Sequence, residues 1–463
     1  MEQTVTLNDL TALAKRRGFV YPTSEIYGGL TSSYDYGPLG TELLRNIRNI
    51  WWEEMVIKRP DIVGLDSQVI LNPHTWVASG HVESFTDPLV EDKETHQRYR
   101  ADHLIEAWLQ EHPEAGPLVV ESLSLDQMAA FIAEHEIRSP AGNEITQPKD
   151  FHIMFETGIG VIAGEKAQVY LRPETAQGIF TNFKQVLDST RLTLPFGIAQ
   201  IGKSFRNEIT SGQFVFRTLE FEQAEIEYFF DPEQTDWQEL FKEWQDEMWR
   251  FVVETLGVCA EKLHWRRHTD NERSHYSRQT YDLDYEFPFG TKELWGLAYR
   301  TDFDLRQHME HAGVDLEYRD PYTGKKFVPH VMEPAGGINR FFLTVLSDAY
   351  WRDEANDRTV LRFKPSLAPY KVAVFPLLKN RPPLVEKARA VYAAVAPHMA
   401  TTWDERGNIG KRYYYQDEIG TPFCITIDFD TLEDDTVTVR DRDTTEQVRV
   451  AVDELVDYLQ ERL

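Results

Sequence analysis

The chain has 463 residues, 41% hydrophobic and 12% aromatic, which excludes disordered and fibrous proteins and is enough for two or three domains. Its formal net charge of -27 argues against a broad nucleic-acid-binding face, because phosphate contacts need Lys and Arg. The two cysteines, Cys259 and Cys424, lie far apart and outside any metal-ligand spacing, so neither disulfides nor a zinc site are expected.

The first residues carry no basic segment and no apolar core, and no apolar run reaches the roughly 18 residues that span a bilayer. We therefore expect a cytoplasmic protein with no membrane partner. The excess of acids could equally reflect a salty cytoplasm. Basic residues gather in the last hundred positions, where they form either a local binding surface or an ordinary solvated face: Lys379, Arg381, Arg406, Lys411, Arg412, Arg440 and Arg442.

The N-terminal half begins with the turn Tyr36–Gly40, followed by a helix with one apolar face. That face contains Leu43, Leu44, Ile47, Ile50, Trp51 and Met55. Residues 101–147 contain two charged helical pieces, 102–111 and 124–134, separated by prolines and glycines, and they read as a helical insertion.

The following region, up to about residue 363, mixes strand-like runs such as 196–201 and 222–230 with one strong helix. The apolar residues of that helix are Trp237, Leu240, Phe241, Trp244, Met248, Val252 and Leu256. Strands and helices without regular alternation predict an antiparallel sheet flanked by helices. We assign residues 1–100 and 148–363 to this domain.

Two prolines in the segment 364–369 favour an extended linker, and a small α/β domain, 364–463, is predicted beyond it. Its predicted elements are strand 371–375, helix 384–396, strands near Tyr413, at 423–428, at 436–440 and at Val448, and a last helix through Val452, Leu455, Val456 and Leu459. The fold class is therefore α+β, with a helical insertion and a C-terminal α/β domain.

Three short segments carry the chemistry: Phe205-Arg206-Asn207-Glu208, Phe216–Phe221 and Gly337–Arg340. Arginine binds two phosphate oxygens with one rigid fork, and an aromatic ring such as Phe221 offers a flat face to a base. Together they suggest a nucleotide clamp. Any one Arg-x-Glu pair alone is more often a cross-strand ion pair.

The ordered set resembles motifs two and three of the class II aminoacyl-tRNA synthetases. The flanking segments Tyr170–Phe180, Gly296–Leu305 and Glu333–Gly337 are similar to those of the dimeric glycyl-tRNA synthetases, and the resemblance covers nearly the whole chain. It implies a homodimer with motif one formed by the helix after Gly40 and a strand ending at Pro73. It also implies that residues 364–463, with the loop Gly407–Tyr413, bind the anticodon.

The resemblance implies glycine, ATP with Mg²⁺ and tRNA-Gly as partners, without zinc or DNA. Arg206, Arg340 and Glu293 would be catalytic, with Glu293 next to magnesium. ATP would be bound by Arg206, Asn207, Glu208, Phe216, Arg217, Thr218, Leu219, Glu220, Phe221, Glu293, Leu294, Gly337, Ile338, Asn339 and Arg340. Glycine would be bound by Arg98, Glu174, Phe221, Glu222, Gln223, Ala224, Glu225, Arg300, Glu333, Pro334, Ala335, Gly336 and Gly337.

Three departures from the family pattern bear on these roles. Ala335 replaces a serine, Leu219 replaces an arginine, and Ser211-Gly212 replaces Pro-Arg. Two alternatives stay open: a non-catalytic, tRNA-binding accessory paralogue, and a class II ligase for another small amino acid such as alanine or serine.

Overall fold

The computed structural model describes residues 5–116, 118, 120, 123–160, 167–208, 213–269 and 277–463. Within them the α-helices are, in chain order, α1 Leu7–Arg17, α2 Pro38–Trp52, α3 Pro73–Ala78, α4 His81–Ser84, α5 Ala101–Glu111, α6 Leu125–Glu134, α7 Ala176–Ser189, α8 Trp237–Arg250, α9 Phe303–Ala312, α10 Ile338–Ala349, α11 Pro382–Val395, α12 Ile409–Ile419, α13 Thr431–Asp434 and α14 Leu455–Gln460.

The strands are β1 Val20–Pro22, β2 Tyr34–Tyr36, β3 Ile62–Gly64, β4 Thr86–Glu91, β5 Arg98–Arg100, β6 Lys149–His152, β7 Glu156–Ile159, β8 Ala167–Tyr170, β9 Phe196–Phe205, β10 Glu220–Phe230, β11 Leu263–Arg267, β12 Gln279–Phe287, β13 Gly290–Thr301, β14 Tyr318–Arg319, β15 Lys326–Phe327, β16 His330–Gly337, β17 Tyr350–Asp353, β18 Arg358–Leu361, β19 Val372–Pro376, β20 Thr401–Trp403, β21 Phe423–Ile427, β22 Thr436–Asp441 and β23 Gln447–Ala451.

A seven-stranded sheet in the order β11-β12-β13-β16-β10-β9-β3 forms the middle of the larger part of the molecule. Each pairing is antiparallel except that of β3 with β9. The long hairpin of β9 and β10 pairs Phe205 with Glu220 at the end next to its connecting loop, and β16 runs directly into α10. The prediction of an antiparallel sheet flanked by helices is confirmed.

The two faces of this sheet have different surroundings, because successive side chains of a strand point to opposite sides. On β10, Ala224, Ile226 and Tyr228 join a large apolar core together with side chains of α2, α8 and α10. The alternate residues of β10 lie on the opposite face, where α7 packs and a cavity opens. Helices therefore support one face of the sheet and leave part of the other available for a site.

Helices α5 and α6 form a smaller unit with the three-stranded sheet β5-β4-β6. Its core contains Val90, Ala101, Ile105, Met128 and Ile132. The helices predicted for 101–147 thus pack with a sheet whose three strands lie on both sides of these residues.

One prediction for the N-terminal region needs correction. No strand ends at Pro73. Pro73 instead begins α3, for which Asn72 is the N-cap and accepts the His74 N–H at 3.0 Å, and both residue types favour a helix start. The apolar stripe of α2 is buried inside this chain, since Leu43, Ile47 and Trp51 have no exposed surface.

The C-terminal part is a five-stranded sheet in the order β20-β19-β21-β22-β23 with helices against it. The strand predicted near Tyr413 is wrong, because Asn408 caps α12 by accepting the Lys411 N–H and the chain is helical from Ile409. The segment predicted as an extended linker is a turn, in which Leu367 donates to the Lys364 carbonyl at 2.8 Å and is fully buried.

The predicted basic group of this part divides into two sets. Lys379, Arg381, Arg406 and Lys411 are exposed. The other three are buried within the protein: Arg412, Arg440 and Arg442. Across the described ranges, no helix combines the length and apolar character needed to cross a membrane.

Candidate active site

A cavity of about 370 Å³ opens on the face of the central sheet formed by β10, β13 and β16. It is lined by most of the residues chosen from the sequence: Glu174, Arg206, Glu208, Phe216, Arg217, Thr218, Phe221, Gln223, Glu225, Glu293, Arg300, Glu333, Ala335, Gly336, Gly337, Asn339 and Arg340. These residues come from segments up to 166 positions apart, from Glu174 to Arg340, and the sheet brings them to one place.

One end of the cavity is basic and aromatic. Arg206 ends the β9 side of the hairpin, donates from Nε to the Pro173 carbonyl at 3.0 Å, and lies 5.3 Å from the ring centre of Phe221. Arg217 is held by Glu208, with 3.1 Å between Nε and Oε2. Guanidinium groups fixed in this way present their remaining N–H groups to an anion.

The start of α10 supplies the third arginine. Arg340 lies 4.5 Å from the ring centre of Phe216, and its Nη1 is 3.0 Å from Glu293 Oε2. Because Gly337 and Asn339 also line the cavity, the N-terminal end of this helix faces it, where free backbone N–H groups and the helix dipole favour negative charge.

The other end of the cavity is acidic, and donors orient each of its three carboxylates. Glu174 accepts from Gln177 at 3.0 Å and lies 3.3 Å from His81 Nε2. Glu225 accepts from the backbone and the hydroxyl of Thr175 and from Gln223 Nε2. Both oxygens of Glu333 accept from Arg300 Nη1, at 2.9 and 3.0 Å.

The acidic end of the cavity contains more carboxyl groups than cationic side chains. Burial and then the negative charges of Glu333 and Glu174 together raise the pKa of Glu225 to about 8. Burial also raises the pKa of Glu333, although Arg300 opposes the shift. The pKa of Glu174 is lowered despite its burial, because His81 and Arg300 stabilise its anion. The cluster therefore retains protons at neutral pH that a cation could displace.

A fourth acid lies deeper on β10. Glu227 is fully buried, and neither of its oxygens has a hydrogen-bond partner among the described residues. Burial raises its pKa well above the ordinary value, and Glu333 adds to that shift. Burial beneath the pocket therefore favours the protonated form of Glu227.

One wall of the acidic end is formed by β16. Ala335 is half-buried and lines the cavity. Gly336 is constrained from the opposite face of the sheet, where a Cβ would lie 2.8 Å from the Phe341 ring and 3.2 Å from the Trp295 ring, both in the apolar core. The wall beside the acids therefore consists of one methyl group and the backbone of β16.

Glu293 is the predicted magnesium ligand. Its carboxylate lines the cavity with 41% of its side chain exposed, and burial of the group is outweighed by Arg340 and then Arg217, so its pKa lies below the ordinary value. Asp282 approaches from β12: its Oδ1 and Glu293 Oε1 lie 3.6 and 3.8 Å from the position of a Cβ on Gly296. No set of three or more His, Cys, Asp or Glu residues in the described ranges is arranged around a metal. Two carboxylates suit Mg²⁺ that takes its other ligands from phosphate and water.

Several predicted residues lie outside this cavity. Arg98 is exposed, pairs with Glu91 and packs over Phe151. Glu220 pairs with Lys203, and Glu222 pairs with Arg48. The remainder support the backbone or the core: Asn207, Leu219, Ala224, Leu294, Ile338 and Pro334. Ser211-Gly212 lies outside the described residues.

The sequence reasoning also missed residues that the structure brings to the site. His268, Thr280 and Asp282 line the cavity. Behind the acids, Gln177 donates to Glu174, and Asp304 accepts from Arg300. Strand alternation could have indicated Glu227, since it lies two residues after Glu225. No local pattern pointed to Gln177, because two of its partners, Asp304 and His308, lie on another helix.

Comparison with known proteins agrees with this geometry. Residues 160–349 match the family model for the tRNA synthetase class II core domain (G, H, P, S and T), and residues 371–462 match that for the anticodon binding domain. The glycine–tRNA ligase of Caldanaerobacter subterraneus subsp. tengcongensis is 50% identical over 464 residues, covering 99% of each chain. The chain belongs to the glycine–tRNA ligase family.

Other members of the glycine–tRNA ligase family show the same extent of similarity. The enzyme of Bacillus anthracis is 50% identical over 463 residues, covering 99% of each chain. That of Clostridium tetani is 49% identical over 463 residues, covering 99% of this chain and 98% of the relative. The family resemblance expected from the motifs is thereby confirmed, as are the class II core and the anticodon-binding domain.

Proposed function

We propose that the chain activates glycine with ATP, forming glycyl-adenylate, and then transfers the glycine to the 3′ end of tRNA-Gly. One observation carries the proposal: a single cavity joins an arginine-rich end to an end with three oriented carboxylates. The first end suits a polyphosphate and the second an ammonium group. The reaction joins one molecule of each kind.

At the basic end, the glycine carboxylate would attack the α-phosphorus while the bond to pyrophosphate breaks. Arg206, nearest the acidic end, would neutralise charge on the α-phosphate, and Arg217 and Arg340 would hold the outer phosphates. Such a displacement needs positioning and cations more than a protein nucleophile. Adenine would stack on Phe221, which requires the Arg206 guanidinium to move away from that ring. Glu208 would contact the amino edge of the adenine.

At the acidic end, an ammonium has three N–H groups, and Glu174, Glu225 and Glu333 offer three carboxylates. A buried cluster of acids is costly unless a cation enters it, so the site favours an amino acid over a neutral ligand. The Ala335 methyl group and the backbone of β16 would exclude larger α-substituents. Because glycine is the smallest amino acid, exclusion by size is sufficient for selection.

Magnesium bound with ATP would neutralise phosphate charge, and Glu293 is the residue proposed to hold it. Arg340 now pairs with Glu293. A metal at Glu293 would release Arg340 to the outer phosphates. Exchange activity should therefore depend on magnesium and be abolished by EDTA.

We further propose a division of labour in the chain: residues 1–100 and 148–363 catalyse, 101–147 form the inserted part, and 364–463 bind the anticodon. The exposed bases Lys379, Arg381, Arg406 and Lys411 support a local tRNA contact on an otherwise acidic body. A homodimer is supported by large exposed apolar side chains in the N-terminal segment: Ile26, Tyr27 and Leu30.

One observation favours a second candidate, a ligase for alanine or serine. Ala335 lacks the hydroxyl that the family carries at the glycine pocket, and its half-buried methyl group faces the cavity. The 50% identity to a glycine–tRNA ligase over 99% of each chain favours glycine. The accessory-paralogue alternative is opposed by Arg206, Glu208 and Arg340, which all line the cavity.

The test is amino-acid-dependent exchange of pyrophosphate into ATP by the purified chain, with magnesium, comparing glycine with alanine, serine, proline and threonine. Glycine-only exchange is expected. Exchange with alanine or serine at a rate similar to that with glycine would show that the chain is not specific for glycine. Absence of exchange with all five from a folded protein would favour the accessory role.

A further inference from the structure

Gln177 lies at the start of α7, directly behind the acidic end of the cavity, and has no exposed surface. Its amide nitrogen donates to Glu174 Oε1 and to Asp304 Oδ1, each at 3.0 Å. Its amide oxygen accepts from His308 Nε2 at 2.8 Å. Both amide donors and the amide acceptor are therefore used.

The orientation of this amide is determined by α9. Asp304 and His308 are four residues apart on α9 and lie on the same helix face, so they present one acceptor and one donor side by side. Burial lowers the pKa of His308, which keeps its ring neutral with a proton available on Nε2. Rotation of the amide by half a turn would place its oxygen against two carboxylates, so only one orientation is stable.

The second carboxylate contacted by Gln177, that of Asp304, is connected to Glu333 through Arg300. Asp304 accepts from Arg300 Nε and Nη2, both at 2.8 Å, and Arg300 donates from Nη1 to Glu333. One amide thus fixes Glu174 directly and Glu333 through Asp304 and Arg300. These two acids carry like charge in a buried place, where repulsion would drive them apart without such donors.

We propose that Gln177 is a positioning residue that sets the separation of Glu174 and Glu333 and thereby the fit of the ammonium group of the amino acid. The inference rests on the proposed function and deepens it, since it assigns part of the selection for glycine to a residue that does not line the cavity. ATP binding at the arginine end does not depend on this bridge.

The experiment measures glycine and ATP KM values, kcat, and the ratio of glycine to alanine use in pyrophosphate exchange by the full chain. Gln177→Met keeps the side-chain length and removes both donors and the acceptor. We expect the glycine KM to rise about tenfold or more and the ATP KM to change by less than about twofold. Discrimination against alanine should fall, because the wall and the acids would no longer keep one geometry.

Asn182→Ala is the matched control, because Asn182 is on the same helix and loses one side-chain hydrogen bond, to the Gly178 carbonyl. It should leave both KM values unchanged. A folded Gln177→Met variant with wild-type glycine KM would overturn the inference, and so would equal worsening of both KM values, which indicates a general structural role.

Should Gln177→Met not fold, Gln177→Glu decides in its place, since it has nearly the same shape but at most one donor among carboxylates. The same glycine-specific rise is expected, and an unchanged glycine KM again overturns the inference. The wild-type chain separates the two levels of proposal: without glycine-dependent exchange the proposed function fails, whereas normal exchange with unaffected variants defeats the role of Gln177 alone.

Discussion

Two buried charge clusters of this molecule are built on opposite principles. Where β18 meets the C-terminal part, Asp417 accepts from Arg440 Nη1 and Nη2 and from Arg358 Nη1 at 2.8 to 3.0 Å, and Asp353 accepts from Arg358. The acids of the cavity exceed their cations, and Glu227 has no partner within the described ranges. A balanced cluster joins parts of a structure, whereas an unbalanced one is prepared for a charged ligand.

The path between the two clusters is short. Helix α10 carries Arg340 in its first turn, at the cavity, and ends at Ala349. Strand β17 follows it, and then β18, which begins at Arg358. The balanced cluster therefore fixes the C-terminal part against the element that leads away from the site. Removing a charge should destabilise the fold at the balanced cluster and should weaken ligand binding, but not the fold, at the unbalanced one. Four changes test this comparison.

The largest effect is expected for Asp417→Ala in the balanced cluster. Removal of this carboxylate leaves Arg358 and Arg440 buried without their main partner, so the free energy of unfolding should fall by about 3–5 kcal/mol. Urea unfolding measures it. Lys242→Ala, which breaks only an exposed pair with Asp246, is the control and should cost no more than about 0.5 kcal/mol. Equal small losses in both variants would contradict the structural role.

Next is Glu225→Gln in the unbalanced cluster. The amide can still accept from Thr175 but offers no charge to an ammonium, so the glycine KM should rise by about 10–100-fold, which corresponds to 1.5–3 kcal/mol. The melting temperature should stay the same or rise, because the amide cannot ionise beside Glu174 and Glu333. Steady-state exchange and thermal unfolding measure the two quantities. A marked loss of stability would show that Glu225 serves the fold instead.

The same residue predicts a pH dependence. The pKa of Glu225 is about 8 in the folded chain against an ordinary 4.5, so between these values the folded state keeps a proton that the unfolded state has lost. Its contribution to the free energy of unfolding therefore falls as pH rises, by up to about 1.4 kcal/mol per pH unit. Glycine affinity should rise through the same window and level off above it, because binding needs the anion.

Calorimetry in buffers with different heats of ionisation should detect this proton. Glycine binding to the wild-type chain at about pH 7 should release close to one proton, and binding to Glu225→Gln should release fewer. Proton release that does not change in the variant would assign the titration to another acid of the cluster.

The smallest effect is expected for Ala335→Ser. The added hydroxyl restores a donor beside the acids and should improve the glycine KM by up to about fivefold, or about 1 kcal/mol. Alanine activation should fall with it. A serine variant with weaker glycine use would mean that the pocket of this chain is built around the methyl group.

Much of the site could be predicted from the sequence, because its main residues occur in short segments that resemble the motifs of a known family. Arg206, Arg217 and Arg340 were chosen from such segments, and all three line the cavity. Predictions failed where a neighbour in space, not in sequence, decides the environment. Arg440 looks like a surface cation in the sequence, yet it is buried beside Asp417.

The sequence by itself determined the family, the antiparallel sheet and the segments that supply the cations and most of the acids. These features follow from local spacing and from the order of the motifs. Only the tertiary structure decided how the acids are held: Gln177 and Asp304 are 127 positions apart, and the packing of α7 against α9 makes them partners. Local periodicity fixes which face of an element a residue occupies, but the packing of distant elements fixes what that residue contacts.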